Sequence, residues 1–175
     1  HGHALQGVLD WLRLSFPNRE VAAVSHRVVH GGAEHVEPIV IDDHSRAQLE
    51  TLVPLAPLHQ PHNLAGIDAA RVAFPRAPQV ACFDTSFHRS HPFVSDTFAL
   101  PRQYYEQGIR RYGFHGLSYE FISRQLKSRH PGLLAGRVIV AHLGNGASMC
   151  AMRGGRSVAS TMGFTALDGL MMGTR

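Results

Sequence analysis

From residue 137 onward the apolar side chains recur at every second position, and two glycine-containing dipeptides interrupt the alternation at short intervals. The runs 137–143, 147–153 and 156–161 have the length and period of strands. Asn145-Gly146 and Gly154-Gly155 stand between them. Such dipeptides accept positive φ at both centres of a two-residue hairpin turn, so the segment is expected to fold as an antiparallel three-stranded meander.

Upstream the period is different. Residues 3–16 place Val8, Leu9 and Leu12 at helical spacing before Pro17. Residues 21–29, rich in valine, read as a buried strand. Residues 36–41 read as a shorter one, placed at a sheet edge by Pro38, which has no N–H to give to a ladder. Asp43 or Ser45 is expected to cap a helix running to about Val53. The stretch 54–62, PLAPLHQPH, holds three prolines and is expected to be a rigid loop without helix or strand. Asn63 is the expected cap of the next helix, and 79–83 is a short apolar strand. Residues 84–116 are loop-rich. Ser118 is the expected cap of a helix to about Arg129, with Phe121, Ile122 and Leu126 on one face and Pro131-Gly132 beyond its end.

Composition narrows the function classes. Of 175 residues, 44% are hydrophobic and 17% charged, which excludes a mainly disordered chain. No run reaches the roughly eighteen apolar residues that a membrane-spanning helix needs. The opening residues carry polar groups throughout, so a secretory signal is not expected. Cys82 and Cys150 form no CxxC, and a reduced, cytoplasmic chain is the expectation. Lys and Arg number 17 against 13 Asp and Glu, a net charge of +4. The longest basic cluster is only Arg110-Arg111, so small anions suit this balance better than nucleic acid. The 13 histidines form no HExxH and no paired Cys and His set, and no metal ligand is assigned among them.

Four segments carry candidate chemistry. In SHRVVHGG, Arg27 lies inside an apolar strand. It is either salt-bridged within the core or aimed as a fork at phosphate or carboxylate. In FDTSFH, Asp84 follows a buried strand directly, where open α/β sheets face their ligands; a turn or cap is the plain alternative. In RYGFHG, His115 is poorly shielded by its glycine neighbours. In HLGNGAS, a glycine-rich hairpin offers backbone N–H groups to phosphate. It has no GxxxxGK, and Met149 stands where a dinucleotide fingerprint needs its third glycine.

Taken in order, SHRVVHGG, APLHQPHNL, ACFDTSFH, RYGFHGLS, HLGNGAS and MGFTALDGLMMGTR closely resemble the acetate kinase family, over nearly the whole chain. The resemblance implies an α/β fold of ribonuclease-H-like lobes, as in actin, sugar kinases and heat-shock ATPases, incomplete in this chain. Residues 1–84 would be the later part of the first lobe. Residues 85–175 would be a linking segment and the start of the second lobe, with the meander at 137–161. The implied reaction is reversible transfer of the ATP γ-phosphoryl group to acetate or another short carboxylate, with Mg2+, giving acyl phosphate and ADP. Arg27, Asp84, His115 and Arg175 match the family's catalytic residues. Val29, Leu58, Phe114 and Ala166 match its substrate pocket, and His59, His142, Asn145 and Gly146 its supporting and phosphate-side positions.

Two departures stand out. Ala166 replaces the proline of the family's GFTPLEG segment, which is expected to enlarge the pocket toward propionate. The GFHG motif usually continues Thr-Ser-His, whereas here it continues Leu117-Ser118-Tyr119. The resemblance further implies an internal piece of a longer enzyme, a homodimer when whole. That piece lacks the first phosphate loop, much of the nucleotide site and the late glutamate that helps to hold magnesium, and alone it is expected to be inactive. A non-catalytic kinase remnant acting as a binding domain is the alternative. A phosphatase using Asp84 as nucleophile would need a second Asp where Ser86 stands.

Overall fold

The structure is a computed structural model and describes residues 2–17 and 19–173. Arg175, one of the four expected catalytic residues, lies outside the described residues. Helix α1 spans Gly2–Ser15. Strands β1 (Val24–Val28), β2 (Ile39–Val40) and β3 (Gln79–Phe83) form a first sheet in the order β1-β3-β2. β1 runs parallel to β3, with Arg27 opposite Cys82 and Val28 opposite Phe83. β2 is antiparallel and takes an edge, as Pro38 predicts. Helices α2 (Asp43–Glu50) and α3 (Gln60–Ala73) connect β2 to β3. Leu49, Leu64 and Ile67 from these helices bury against Val28, Ala81 and Phe83.

The proline-rich stretch is more regular than expected. A single 3-10 turn occupies Val53–Leu55, and α3 already starts at Gln60. Proline at the first helical positions gives up an N–H that has no intrahelical partner there, so Pro54 and Pro61 fit helix starts rather than oppose them. Asn63 is therefore no cap; it lies inside α3 and its Oδ1 accepts from Val29 N at 3.0 Å. The cap of α2 is Asp42, not Asp43 or Ser45. Ser45 N donates to Asp42 Oδ1 at 2.7 Å and the Ser45 hydroxyl accepts from Asp42 N at 2.9 Å, a reciprocal capping box.

The segment after β3 contains short helices α4 (Phe93–Asp96) and α5 (Arg102–Glu106), then α6 (Gly116–Arg129) and α7 (Pro131–Leu134). Strands β4 (Arg137–Leu143), β5 (Ala147–Arg153) and β6 (Arg156–Ser160) follow as an antiparallel sheet in chain order. Gly154 and Gly155, at φ 57° and 77°, make the expected two-residue turn. The other turn differs. Leu143 pairs with Ala147, so three residues connect β4 to β5, and neither Asn145 nor Gly146 has positive φ.

Alternation along β4 and β5 sends Val138, Val140, Cys150 and Met152 toward α6, where Tyr119 and Leu126 meet them. α6 begins at Gly116, two residues before the expected cap Ser118. Tyr119 and Leu126, seven residues apart, share the packed face, while Phe121 falls off it and is 59% exposed. The opposite face of β4 leaves Ile139 and Leu143 exposed. A third apolar cluster, including Val29, Tyr112, Phe114, Ala147 and Met162, joins the ends of the two sheets. Both cysteines are free. Among the described residues no helix is long and apolar enough to cross a membrane.

Candidate active site

Above that third cluster opens a cavity of about 640 Å3. Eleven of the twelve candidate residues line it: Arg27, Val29, Leu58, His59, Asp84, Phe114, His115, His142, Asn145, Gly146 and Ala166. The twelfth, Arg175, is the residue outside the described chain.

The polar wall is built where β1 and β3 end side by side. Asp84 N donates to Val28 O at 3.0 Å, extending the ladder by one residue. This puts the Asp84 carboxylate beside Arg27. Arg27 Nη2 meets Oδ2 at 2.6 Å and Nε lies 3.1–3.2 Å from both oxygens, a fork on one carboxylate. Asp84 is buried, but the Arg27 side chain is 61% exposed toward the cavity. Burial pushes the Asp84 carboxyl up and the Arg27 fork opposes that rise, while the hydrogen bond to Asp84 raises Arg27 above its ordinary value. Arg27 is therefore salt-bridged, as the first sequence reading expects, and its head remains at the cavity surface.

Asp84 also positions the histidine segment, because its carbonyl accepts from Gly116 N at 2.8 Å. His115 caps α6 in the left-handed region at φ 59°, the only described non-glycine residue with positive φ. Such a conformation persists only where its surroundings over-determine it, and it concentrates at ligand sites. The His115 ring stacks on His142, with centroids 4.1 Å apart and planes 21° from parallel. The anchors cross between elements. His115 Nδ1 lies 2.9 Å from Ser148 Oγ on β5, and His142 Nδ1 lies 3.0 Å from Ser118 Oγ on α6. The Nε2 edges face the turn: a Cβ on Gly146 would come 3.0 Å from His115 Nε2, so glycine there admits the imidazole. Burial, then the neighbouring His142 and Arg27, lowers His115 to about 4.

The apolar wall comes from Val29, Leu58, Phe114 and Ala166, together with Leu117, Met162 and Leu167. An adjoining recess of about 230 Å3 shares Val29, Phe114 and Ala166 and continues past Leu55 and Phe164. Sequence reasoning missed Leu117, Ser118, Met162 and Leu167 as wall residues, and missed Ser148 and Tyr119 beneath the imidazoles. For Ser148 the turn length decides: the expected two-residue turn would set Met149 opposite His142, whereas the three-residue turn sets Ser148 there and turns both to one face.

The whole chain, residues 1–175, matches the model of the Acetokinase family. It belongs to the acetokinase family. The acetate kinase of Methylocella silvestris is 62% identical over all 175 residues, which make up 43% of that protein. That of Rhodopseudomonas palustris is 54% identical, with all of this chain covering 44% of it. Among solved structures, a propionate kinase from Francisella tularensis superposes with a TM-score of 0.92 at 38% identity, covering all of this chain and 46% of that one. The Porphyromonas gingivalis acetate kinase gives 0.86, also at 38% identity and 46% coverage. This acetokinase chain thus spans less than half the length of the relatives it matches, and its mixed α/β fold is correspondingly a part of theirs.

Magnesium, which the family implies, meets a poor donor set here. It takes oxygen ligands, usually one or two carboxylates with waters and substrate phosphates. Asp84 is the single carboxylate among the described lining residues, and Arg27 engages both of its oxygens. Among the described residues no group of three or more His, Cys, Asp or Glu converges. The described cavity residues therefore do not form a magnesium site of their own.

Proposed function

We propose that this chain carries the acid-binding and phosphoryl-contacting side of an acetate kinase site, which transfers the ATP γ-phosphoryl group reversibly to a short carboxylate. One observation carries the reading: an arginine fork, two imidazoles and an apolar wall, drawn from segments far apart in sequence, share one cavity.

The acid's alkyl group would lie against Val29, Leu58, Phe114 and Ala166, leaving its carboxylate toward Arg27. A carboxylate is already ionised near neutral pH, so no general base is required. One of its oxygens attacks the γ-phosphorus in line. The bond from that phosphorus to the β–γ bridging oxygen breaks, and its electron pair leaves with ADP. Charge spreads over the equatorial oxygens during transfer, and protein donors aimed there lower the barrier. Arg27 Nη1 has no partner among the described residues and serves as one donor; His115 Nε2 serves as another. Asp84 keeps the guanidinium charged and oriented. Asn145 and Gly146, which line the same cavity, are proposed to face the phosphates, and Arg175 is proposed as the second arginine.

The recess behind Ala166 supports propionate as a substrate at least as good as acetate. One methylene in an apolar pocket is worth about 1–3 kcal/mol. The isolated chain is proposed to lack turnover.

The test uses a chimera in which these 175 residues replace the matching segment of the Methylocella silvestris enzyme. ATP, magnesium and acetate, propionate or butyrate are supplied, and hydroxylamine traps acyl phosphate. Hydroxamate formed by the chimera and not by the chain alone is the expected result. A folded chimera inactive with all three acids would reject the reading.

A further inference from the structure

We propose that Tyr119 is a positioning residue: acting through Ser148, it holds His115 in the tautomer whose proton sits on Nε2. The argument is an accounting of protons. The Tyr119 side chain is completely buried; the His142 backbone N–H donates to its hydroxyl, and among the described residues Ser148 Oγ is the one acceptor its proton meets. Buried donors keep their protons paired, so the phenol donates to Ser148. Ser148 is also fully buried and has two partners, the phenol and His115 Nδ1 at 2.9 Å. Having accepted from the first, it donates to the second. A neutral imidazole that accepts at Nδ1 carries its proton on Nε2. The reverse order would strand the phenolic proton without an acceptor.

Burial supports both ends of this relay. It pushes Tyr119 up to about 12, so the phenol keeps its proton, and it holds His115 at about 4, so the ring is neutral near pH 7. The Nε2–H then points at the 144–146 turn, against Gly146. This is also a point of departure from the family pattern, tyrosine standing where histidine is usual. An imidazole at residue 119 has either a proton or a lone pair to offer; a phenol with no other acceptor has only one way to donate. That the Nε2–H meets a transferred phosphoryl oxygen rests on the proposed function, whereas the tautomer does not.

The experiment is nitrogen NMR of the His115 ring in the 15N-labelled 175-residue chain at pH 7. The expected spectrum shows a protonated, pyrrole-type Nε2 and an unprotonated, pyridine-type Nδ1. Tyr119→Phe removes the donor, and the two resonances then move toward each other as the tautomers mix. Ser148→Ala interrupts the relay from the other side and serves if the first variant does not fold. A Tyr119 that mattered only for packing would lower thermal stability and leave both shifts unmoved. A wild-type His115 protonated on Nδ1 overturns the proposal, as do folded variants with an unchanged tautomer. Acetyl phosphate added to the wild type separates the two claims. If the expected tautomer is present but Nε2 does not respond, the relay is supported and the phosphoryl-contact role is rejected.

Discussion

A single salt-bridged arginine illustrates how much one residue does here. Arg27 neutralises a buried carboxylate while keeping its head in the cavity. In the chimeric enzyme Arg27→Ala is expected to reduce acyl-phosphate formation on the order of 100-fold, the usual result of removing a donor to transition-state charge. Steady-state rates with saturating ATP check this, and near-normal turnover would take Arg27 out of the mechanism. Ala166→Pro tests the pocket at the same scale. It should shift the propionate-to-acetate ratio of kcat/KM toward acetate by about tenfold or more, and an unchanged ratio would detach Ala166 from selectivity. The buried imidazoles make a third prediction. Burial lowers His30, His91 and His115 to about 4 and His88 to about 3, from an ordinary 6.5. The unfolded chain then binds more protons than the folded one below that ordinary value, so stability falls as pH drops. The loss should begin near pH 6.5 and level off only around pH 3–4. Urea melts at pH 7.5, 6 and 5 measure it; a stability independent of pH over that range would contradict the burial of these rings.

Elements were legible where their period is strong. The three strands from residue 137 stand nearly where alternation puts them, and β3 occupies 79–83 as expected. The proline-rich stretch departs from expectation because proline counts as a helix breaker, although at the first two helical positions it breaks nothing. The short helices α4 and α5 span four and five residues, too few to display any period. The eleven candidate residues that share one cavity were named largely by the resemblance to the acetate kinase motifs, not by periodicity or spacing. The Tyr119–Ser148–His115 relay was not readable, since partners 29 and 33 residues apart leave no local mark. Packing of α2 and α3 gives this scale its own prediction. Leu49 is fully buried beneath the first sheet, so Leu49→Ala should destabilise by about 2–5 kcal/mol. Val72 on the outer side of α3 is 85% exposed, and Val72→Ala should stay within about 0.5 kcal/mol. Chemical denaturation of the two variants side by side decides whether this face of α2 is the packed one.

The whole molecule presents surface that its sheets do not cover. β4 is an edge strand, and its outer face exposes Ile139 and Leu143, each 74% accessible. An open edge beside apolar side chains favours pairing with a second copy. Light scattering should show association growing with concentration, reduced by Ile139→Lys together with Leu143→Lys. A clean monomer at high concentration would refute this. Asp84 has the widest reach across the fold. Its amide is bound to β1, its carbonyl to the start of α6 and its carboxylate to Arg27. It works as a ruler, fixing the distance between guanidinium and imidazole by the dimensions of one amino acid. A cationic head and a neutral ring are therefore tied to one residue of the chain. Under the proposed function, adjustment to acids of different size would fall to the opposite bank, where Leu58 and Leu167 stand partly in solvent. On that reading selectivity would drift there by substitution without disturbing the spacing that the proposed transfer requires.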